Sequence, residues 1–229
     1  MKTAIVTGAS GNLGQAVVNK FLAEGYNVVG TVIPNDLVPI NFPSDNFEKA
    51  VVDLTDEDDT QKFISAVITK YETIDAAIFT VGGFAMGGIA DTTSADILKQ
   101  YRLNFETAYN IARPVFMQMM KQDSGRLFFI GARPGLLATN SEGMVAYGLA
   151  KSLVVRLTEL INLEAKGKNV VASVVVPSTI DTPQNRQSMP DTDFNKWVKP
   201  EDIATTIYFY CTEHAAALRE PVIKMYNKS

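Results

Sequence analysis

A tyrosine and a lysine four positions apart have the types and the spacing of a proton-transfer pair. They are Tyr147 and Lys151 in the run Tyr-Gly-Leu-Ala-Lys, and on a helix this spacing places both side chains on one face. A free phenol has a pKa of about 10, and a neighbouring ammonium lowers that pKa by stabilising the phenolate. The pair therefore suits the transfer of a proton to a substrate that accepts a hydride, although the same spacing is also common on solvated helix faces.

A glycine-rich segment near residue 8 has the pattern of a phosphate-binding turn. It reads Thr7-Gly8-Ala9-Ser10-Gly11-Asn12-Leu13-Gly14 and lies between a β-type run and a helical stretch. Gly8 permits a tight turn, Gly11 lets the backbone approach a pyrophosphate, and Gly14 lets the helix pack close to the strand. The N-terminus of the helix then favours an anion. The segment predicts a dinucleotide site formed by Gly8, Ser10, Gly11, Asn12, Leu13 and Gly14.

Short apolar runs and longer helical stretches alternate along the chain. The runs predict strands at Thr3–Thr7, Asn27–Val32, Ala50–Asp53, Ala76–Thr80, Arg126–Gly131, Val170–Val176 and Pro221–Met225. The stretches between them predict helices at Leu13–Glu24, Asp56–Tyr71, Ser94–Lys121, Val145–Lys166 and Pro200–Cys211. This alternation indicates βαβ units and a parallel sheet covered on both faces. We expect a Rossmann-type, doubly wound three-layer α/β/α fold with a seven-stranded parallel sheet, in a single domain over residues 1–229.

Two irregular segments, Ile33–Asn46 and Pro177–Lys199, each follow a predicted strand. Open α/β sheets bind ligands in the crevice outside the carboxyl ends of their strands. Loops of this length without secondary structure are uncommon in compact domains unless they have a function. We therefore expect both segments to border the binding site.

The composition argues against several other functions. The chain has 21 Lys and Arg against 25 Asp and Glu, a net charge of −4, which disfavours nucleic-acid binding. With one cysteine, Cys211, and one histidine, His214, a Cys- or His-based metal site and a Ser-His-Asp triad are hard to build. No apolar run is long enough to span a membrane. We expect a cytoplasmic protein that binds no metal and acts on a small molecule.

The glycine-rich turn, the Tyr147–Lys151 pair and the order of the elements together resemble the short-chain dehydrogenase/reductase family over almost the whole chain. The resemblance implies an oxidoreductase that uses NAD or NADP, with Tyr147 as proton donor and Lys151 holding the nicotinamide ribose. It also implies that Asn104 orients Lys151 through a water. Other family-like positions are Asp53 and Leu54 for the adenine, Gly82 beside the cofactor, and Pro177 and Thr182 for the nicotinamide carboxamide.

A narrower resemblance lies in the segment Pro177–Trp197. It is similar to the substrate loop of quinonoid dihydropteridine reductases, above all in the run Asp-Thr-Pro-Gln-Asn-Arg-Gln-Ser-Met-Pro, which Asp-Phe and Trp follow. The likeness implies a quinonoid dihydropteridine as substrate, with Arg186 and Trp197 as candidate contacts and the flat pterin stacked on the indole. The alternatives are that Trp197 packs against a partner and that Arg186 is a solvated loop charge.

Ala132 stands where most members of the family carry a serine that hydrogen-bonds the substrate carbonyl. A methyl group cannot donate a hydrogen bond, and loss of an oxyanion-stabilising donor often costs about 3 kcal/mol. Dihydropteridine reductases lack that serine too, so we place Ala132 at the substrate site. The alternative is that the hydroxyl of Ser141 replaces the missing donor.

The choice between NAD and NADP stays open in the sequence. Val32 occupies the position at the end of the second strand where an aspartate binds the ribose of NAD. Asp36 follows in the loop, and no arginine stands nearby for a 2′-phosphate. Asn12, at a position that is usually glycine, also departs from the family pattern.

These features predict NAD(P)H-dependent reduction of a quinonoid dihydropteridine-like substrate. The alternatives are a family reductase for a carbonyl or enone, and a protein that senses NAD(P) without turnover. Because the helices Ser94–Lys121 and Val145–Lys166 carry apolar residues on more than one face, and family members pair such helices, we expect a homodimer or homotetramer.

Overall fold

Seven parallel strands form the one sheet of the chain in the computed structural model, which describes residues 1–139 and 141–228. The strands are β1 (Thr3–Thr7), β2 (Asn27–Val32), β3 (Phe47–Val51), β4 (Ala76–Phe79), β5 (Ser124–Ile130), β6 (Asn169–Pro177) and β7 (Val222–Met225). Their order across the sheet is β3-β2-β1-β4-β5-β6-β7, and every neighbouring pair is parallel. The predicted Rossmann-type, seven-stranded fold is therefore confirmed.

Helices cover both faces of this sheet. They are α1 (Asn12–Ala23), α2 (Glu57–Tyr71), α3 (Ser94–Tyr101), α4 (Thr107–Gln122), α5 (Arg133–Leu136), α6 (Val145–Glu164), α7 (Pro183–Ser188) and α8 (Pro200–Tyr210). A π-helical turn, Arg102–Glu106, joins α3 to α4. Short 3-10 turns lie at Phe194–Lys196 and Glu213–Ala215.

The core consists of two apolar clusters, one on each face of the sheet. Phe128 and Phe129 are neighbours in β5, and because side chains alternate along a strand they enter different clusters. Phe129 packs with residues of α2, α4 and α6, and Phe128 packs with residues of α1 and α8. Both phenyl rings are almost completely buried, which explains why the central strands read as continuous apolar runs.

The predicted third strand, Ala50–Asp53, is displaced from the observed β3, Phe47–Val51. β3 lies at the edge of the sheet, and its residues are only partly buried or exposed. An edge strand lacks the continuous apolar signature of its neighbours. The apolar residues that gave the prediction belong partly to the connection that follows, where Val52 is buried.

The predicted helix Ser94–Lys121 is interrupted by the π-helical turn Arg102–Glu106. The side-chain periodicity does not reveal this turn, because the residues keep helical dihedral angles while their hydrogen bonds shift by one position. The segment Pro177–Lys199 is also more regular than expected. It contains α7, which begins with Pro183 after a cap by Thr182, and a 3-10 turn.

Helix α2 begins after an N-terminal cap that can be tested by mutation. The carboxylate of Asp56 accepts hydrogen bonds from the backbone N–H groups of Asp58 (2.9 Å) and Asp59 (3.1 Å). We predict that Asp56→Ala lowers the free energy of unfolding by about 1 kcal/mol, because these donors lose their partner. Urea denaturation measures this loss. Asp58→Ala removes a carboxylate from the same turn but keeps the cap, and an equal loss in that variant would contradict the assignment.

Candidate active site

The glycine-rich turn has the close backbone packing that its sequence predicts. Gly8 has a positive φ of 64°, and its carbonyl accepts a hydrogen bond from the Gly11 N–H at 3.0 Å. A Cβ on Gly14 would lie 2.0 Å from the Gly8 carbonyl oxygen, so the start of α1 can approach β1 only with glycine at this position. α1 begins at Asn12, and its first N–H groups have no intrahelical partner, which suits an anion.

A cavity of about 110 Å³ lies beside this turn, at the carboxyl ends of β1, β2 and β4. Its lining is mostly apolar, with Val32, Val52 and Leu54 among the residues that form it. Its polar side chains include Ser10 and Asp36. A flat base on apolar walls, with polar groups at the rim for a ribose, matches this lining.

Asp53 and Leu54 were both predicted to contact the adenine, and the structure places them differently. Leu54 lines the cavity. The carboxylate of Asp53 is exposed and accepts hydrogen bonds from the N–H and the hydroxyl of Thr55, at 2.9 and 2.6 Å. These bonds hold the pKa of Asp53 below its usual value and commit its side chain to the turn.

Lys151 is buried, with 5% of its surface exposed, at the carboxyl end of β5. Its Nζ donates a hydrogen bond to the backbone carbonyl of Ile130 at 2.8 Å and lies 5.9 Å from the centre of the Tyr147 ring. Both side chains belong to α6, as the spacing predicts. Burial lowers the pKa of Lys151 to about 8, because the charged form loses its hydration.

The pKa of Tyr147 departs from the prediction. Burial raises it to about 12, whereas we expected the ammonium of Lys151 to lower it. Loss of hydration disfavours the phenolate, and the ammonium that would stabilise it is bonded to the Ile130 carbonyl. Tyr147 is therefore a protonated phenol at neutral pH, so it holds the proton that a donor needs, but the raised pKa makes it a weaker acid than a free phenol.

Asn104 and Lys151 meet at Gly82, which follows β4. A Cβ on Gly82 would lie 2.7 Å from Oδ1 of Asn104 and 3.2 Å from Nζ of Lys151, so a larger residue would displace one of them. The Asn104 amide lies in the π-helical turn, accepts a hydrogen bond from the Gly83 N–H at 3.1 Å and donates to the Gly83 carbonyl at 3.0 Å. These contacts bring three predicted site residues together. π-Helical turns frequently occur at functional sites.

Two residues of this region were missed in the sequence. The side-chain carbonyl of Gln100 accepts a hydrogen bond from the Asn104 amide at 2.9 Å, and Gln100 is 4% exposed. Its position four residues before Asn104 on a helix was the available signal. Phe84 packs edge to face against Tyr147, with ring centres 5.1 Å apart. No periodic pattern marks Phe84, because it lies in a loop.

Ala132 is 9% exposed and lies two residues beyond Ile130, whose carbonyl holds Lys151. It precedes α5 and supplies no side-chain cap to that helix. Ser141, the candidate replacement donor, donates its hydroxyl hydrogen bond to the Leu137 carbonyl at 3.0 Å. The side chain at position 132 therefore offers no hydrogen-bond donor, and the Ser141 hydroxyl is engaged within its own segment.

Arg186 and Trp197, the predicted substrate contacts, both make side-chain contacts within the loop. Arg186 forms a two-point ion pair with Asp181, at 2.6 and 2.8 Å, and its guanidinium lies over the Phe194 ring. Trp197 is only 4% exposed and packs against Phe194 at 4.8 Å. The prediction that a pterin stacks on this indole is wrong, because a ring buried in this way offers no open face to a ligand.

Pro177 and Thr182 were expected to hold a carboxamide. Pro177 is buried at the end of β6, and the Thr182 hydroxyl accepts a hydrogen bond from the Asn185 N–H at 3.2 Å. Nearby, the Asn12 side chain donates to the Gln184 side chain at 2.8 Å. This bond ties the glycine-rich turn to α7, so the second long loop borders that turn.

The glycine turn, the apolar cavity and the buried Lys151 fit a nicotinamide dinucleotide. A family model described as short chain dehydrogenase matches residues 2–193. The chain therefore belongs to the short-chain dehydrogenase/reductase family, whose members are NAD(P)-dependent oxidoreductases.

The curated relatives are similar along nearly the whole chain but share few identical residues. An acetoacetyl-CoA reductase from Acinetobacter sp. (strain RA3849) is 23% identical over 94% of this chain and 92% of its own length. A 3-oxoacyl-[acyl-carrier-protein] reductase FabG from Thermotoga maritima is 23% identical over 97% of this chain and 95% of its own length.

Solved structures show the same fold. ElxO with NADP bound superposes with a TM-score of 0.87 at 22% identity, over 98% of this chain and 96% of ElxO. The ligand-free aldohexose dehydrogenase of Thermoplasma acidophilum gives 0.83 at 20% identity, over 99% of this chain and 93% of that one. Over residues 1–139 and 141–228, no helix combines the length and the apolar content needed to cross a membrane.

The burial of Lys151 has a spectroscopic consequence. In protein labelled with ¹⁵N on lysine side chains, we predict one Nζ resonance that titrates with a midpoint of about 8, because burial disfavours its charged form. NMR over a pH series measures the midpoint. Lys151→Met assigns the resonance by removing it. A midpoint of about 10 or higher for the assigned resonance would show that the ammonium is hydrated, contrary to the site described.

Proposed function

We propose that this protein is an NAD(P)H-dependent reductase of a flat, conjugated substrate of the quinonoid dihydropteridine class. The observation that carries the proposal is Ala132, whose side chain has no hydrogen-bond donor and which lies two residues beyond Ile130, the residue whose carbonyl holds Lys151. A simple ketone develops negative charge on one oxygen and depends on a donor there. A conjugated ring spreads this charge over several atoms and depends less on that hydrogen bond.

In the proposed reaction, Tyr147, Lys151 and Asn104 have different roles. When bound, the dinucleotide supplies the hydride. Tyr147 holds the proton that completes the reduction, since its pKa of about 12 keeps the phenol protonated at neutral pH. Lys151 is charged below a pH of about 8. Its positive charge balances the negative charge left on the Tyr147 oxygen after the proton has been given up. Asn104 holds the Gly82–Gly83 backbone against which Lys151 packs.

The surface next to Tyr147 supports a flat apolar substrate. Phe84 meets the Tyr147 ring edge to face and is 58% exposed. Met86 is 66% exposed, and a Cβ on Gly143, just before α6, would lie 3.2 Å from its terminal methyl group. An aromatic ring and a flexible thioether at the mouth of a site bind planar rings well. Neither side chain offers a charge to a phosphate-bearing carrier.

The second candidate function is reduction of a carbonyl or an enone. The names of the curated relatives favour it, because acetoacetyl-CoA reductase and 3-oxoacyl-[acyl-carrier-protein] reductase both act on ketones. At 23% identity these names do not transfer directly. The two candidate functions differ most in how much each depends on a hydrogen-bond donor at position 132, where this chain has alanine. Its substitution therefore separates them.

The oligomeric state of the protein and its location in the cell are also proposals. We propose a homodimer or homotetramer of a single domain, residues 1–229, that works in the cytoplasm. Helix α6 supports the oligomer, because large apolar side chains on it are exposed to solvent. They are Leu149, Leu153, Leu160 and Leu163.

The proposed substrate is tested by steady-state assays with a quinonoid dihydropteridine and a 3-oxoacyl thioester. We predict that the native protein reduces the pterin. Ala132→Ser should raise kcat/KM for the thioester at least about tenfold, because a hydroxyl now faces the developing oxyanion, and should change pterin reduction less than about threefold.

Ala138→Ser adds a hydroxyl at an exposed position of the same segment and serves as the matched control. Native protein that reduces the thioester as fast as Ala132→Ser does, and leaves the pterin unchanged with both dinucleotides, would refute the dihydropteridine proposal and favour the carbonyl reductase.

A further inference from the structure

Asp36 lies at the rim of the cavity beside the glycine-rich turn. The chain reaches this position from β2 by a turn in which the Asp36 N–H donates to the Ile33 carbonyl at 3.2 Å. The carboxylate thereby comes to line the same cavity as Val32, the residue at the end of the strand. A loop residue four positions later supplies the acidic group that Val32 cannot.

The Asp36 carboxylate is fixed in place by hydrogen bonds on both oxygens. Oδ2 accepts from the Ser10 hydroxyl at 2.5 Å, and Oδ1 accepts from the Val38 N–H at 2.9 Å. These bonds lower the pKa of Asp36, so the group is anionic at neutral pH. The bond from Ser10 joins the carboxylate to the turn expected to hold the pyrophosphate.

The rim of the cavity is negatively charged. Among the described residues that line the cavity, Asp36 alone carries a charge, and the other members are apolar, glycine, serine or threonine. Lys49 on the edge strand β3 is near enough to lower the pKa of Asp36 slightly, but it is exposed and does not line the cavity. The rim therefore presents a net negative charge to whatever the cavity contains.

We propose that Asp36, oriented by Ser10, makes this site select NAD(H) over NADP(H). The inference rests on the proposed use of a nicotinamide dinucleotide, and it names the residue that sets the choice. A ribose hydroxyl donates a hydrogen bond to a carboxylate, which is a strong charge-assisted interaction. A 2′-phosphate offers only acceptors and negative charge, and like charges placed together disfavour binding.

Calorimetric titration with NADH and with NADPH tests the proposal without any reducible substrate. We expect the native protein to bind NADH at least about tenfold more tightly than NADPH. Asp36→Asn should shrink this ratio by about tenfold, mainly by improving the binding of NADPH, because the repelling charge is gone. Raising the salt concentration from about 0.05 to about 0.5 M should narrow the native ratio by screening the same charge.

Asp45→Asn is the matched control, since it removes an exposed carboxylate from the same loop and changes the net charge equally. That variant should keep the native ratio. Tighter binding of NADPH by the native protein, an unchanged ratio in Asp36→Asn, or an equal change in Asp45→Asn would overturn the proposal. Failure to bind either dinucleotide would overturn it too. Binding of NADH without reduction of the pterin would overturn only the proposed substrate.

Discussion

The buried ammonium of Lys151 is the interaction on which the site depends. Removing a charged group from water is costly unless polar partners replace the lost hydration, and here the Ile130 carbonyl at the end of β5 supplies a hydrogen bond. The same burial accounts for the lowered pKa of Lys151 and for its fixed position relative to Tyr147. β5 and α6 must therefore keep their mutual position for the pair to exist.

Small residues make this burial possible. A Cβ on Gly135 in α5 would lie 2.5 Å from the backbone carbon of Lys151, and one on Gly148 would lie 3.3 Å from the Pro134 carbonyl oxygen. On the other side, Gly82 leaves room for both Asn104 and Lys151. The absence of side chains at these three positions lets α5, α6 and the segment after β4 meet closely enough to exclude water from the ammonium. Ala132, with its single methyl group, continues the same pattern.

Much of the fold could be predicted because burial on both faces of a parallel sheet leaves continuous apolar runs. The central strands have this signature, and β3 lacks it since it lies at the edge. Helical spacing put Tyr147 and Lys151 on one face, and the glycine-rich turn together with this pair favoured a functional site over a solvated face. The π-helical turn around Asn104 could not be predicted, because a one-residue shift of hydrogen bonds has no side-chain pattern.

The remaining errors concern contacts that loops and irregular segments make. Whether the pKa of Tyr147 is raised or lowered depends on how far the ring is buried. Part of that burial comes from loops distant in sequence, such as the loop that contains Phe84. The burial of Trp197 depends on its contact with Phe194 within an irregular segment. Loop composition predicts that such a segment has a function, but it does not predict which side chains face inward.

The most direct test of a phenol that donates a proton beside a buried ammonium is Tyr147→Phe. We predict that this variant binds the preferred dinucleotide with a dissociation constant within about threefold of the native value, while its turnover falls at least about a hundredfold. Calorimetry and the change in nicotinamide absorbance measure the two quantities on the same preparation. Equal turnover in the variant and the native protein, or no turnover in either despite intact binding, would contradict the account. The second outcome would indicate a protein that senses the dinucleotide.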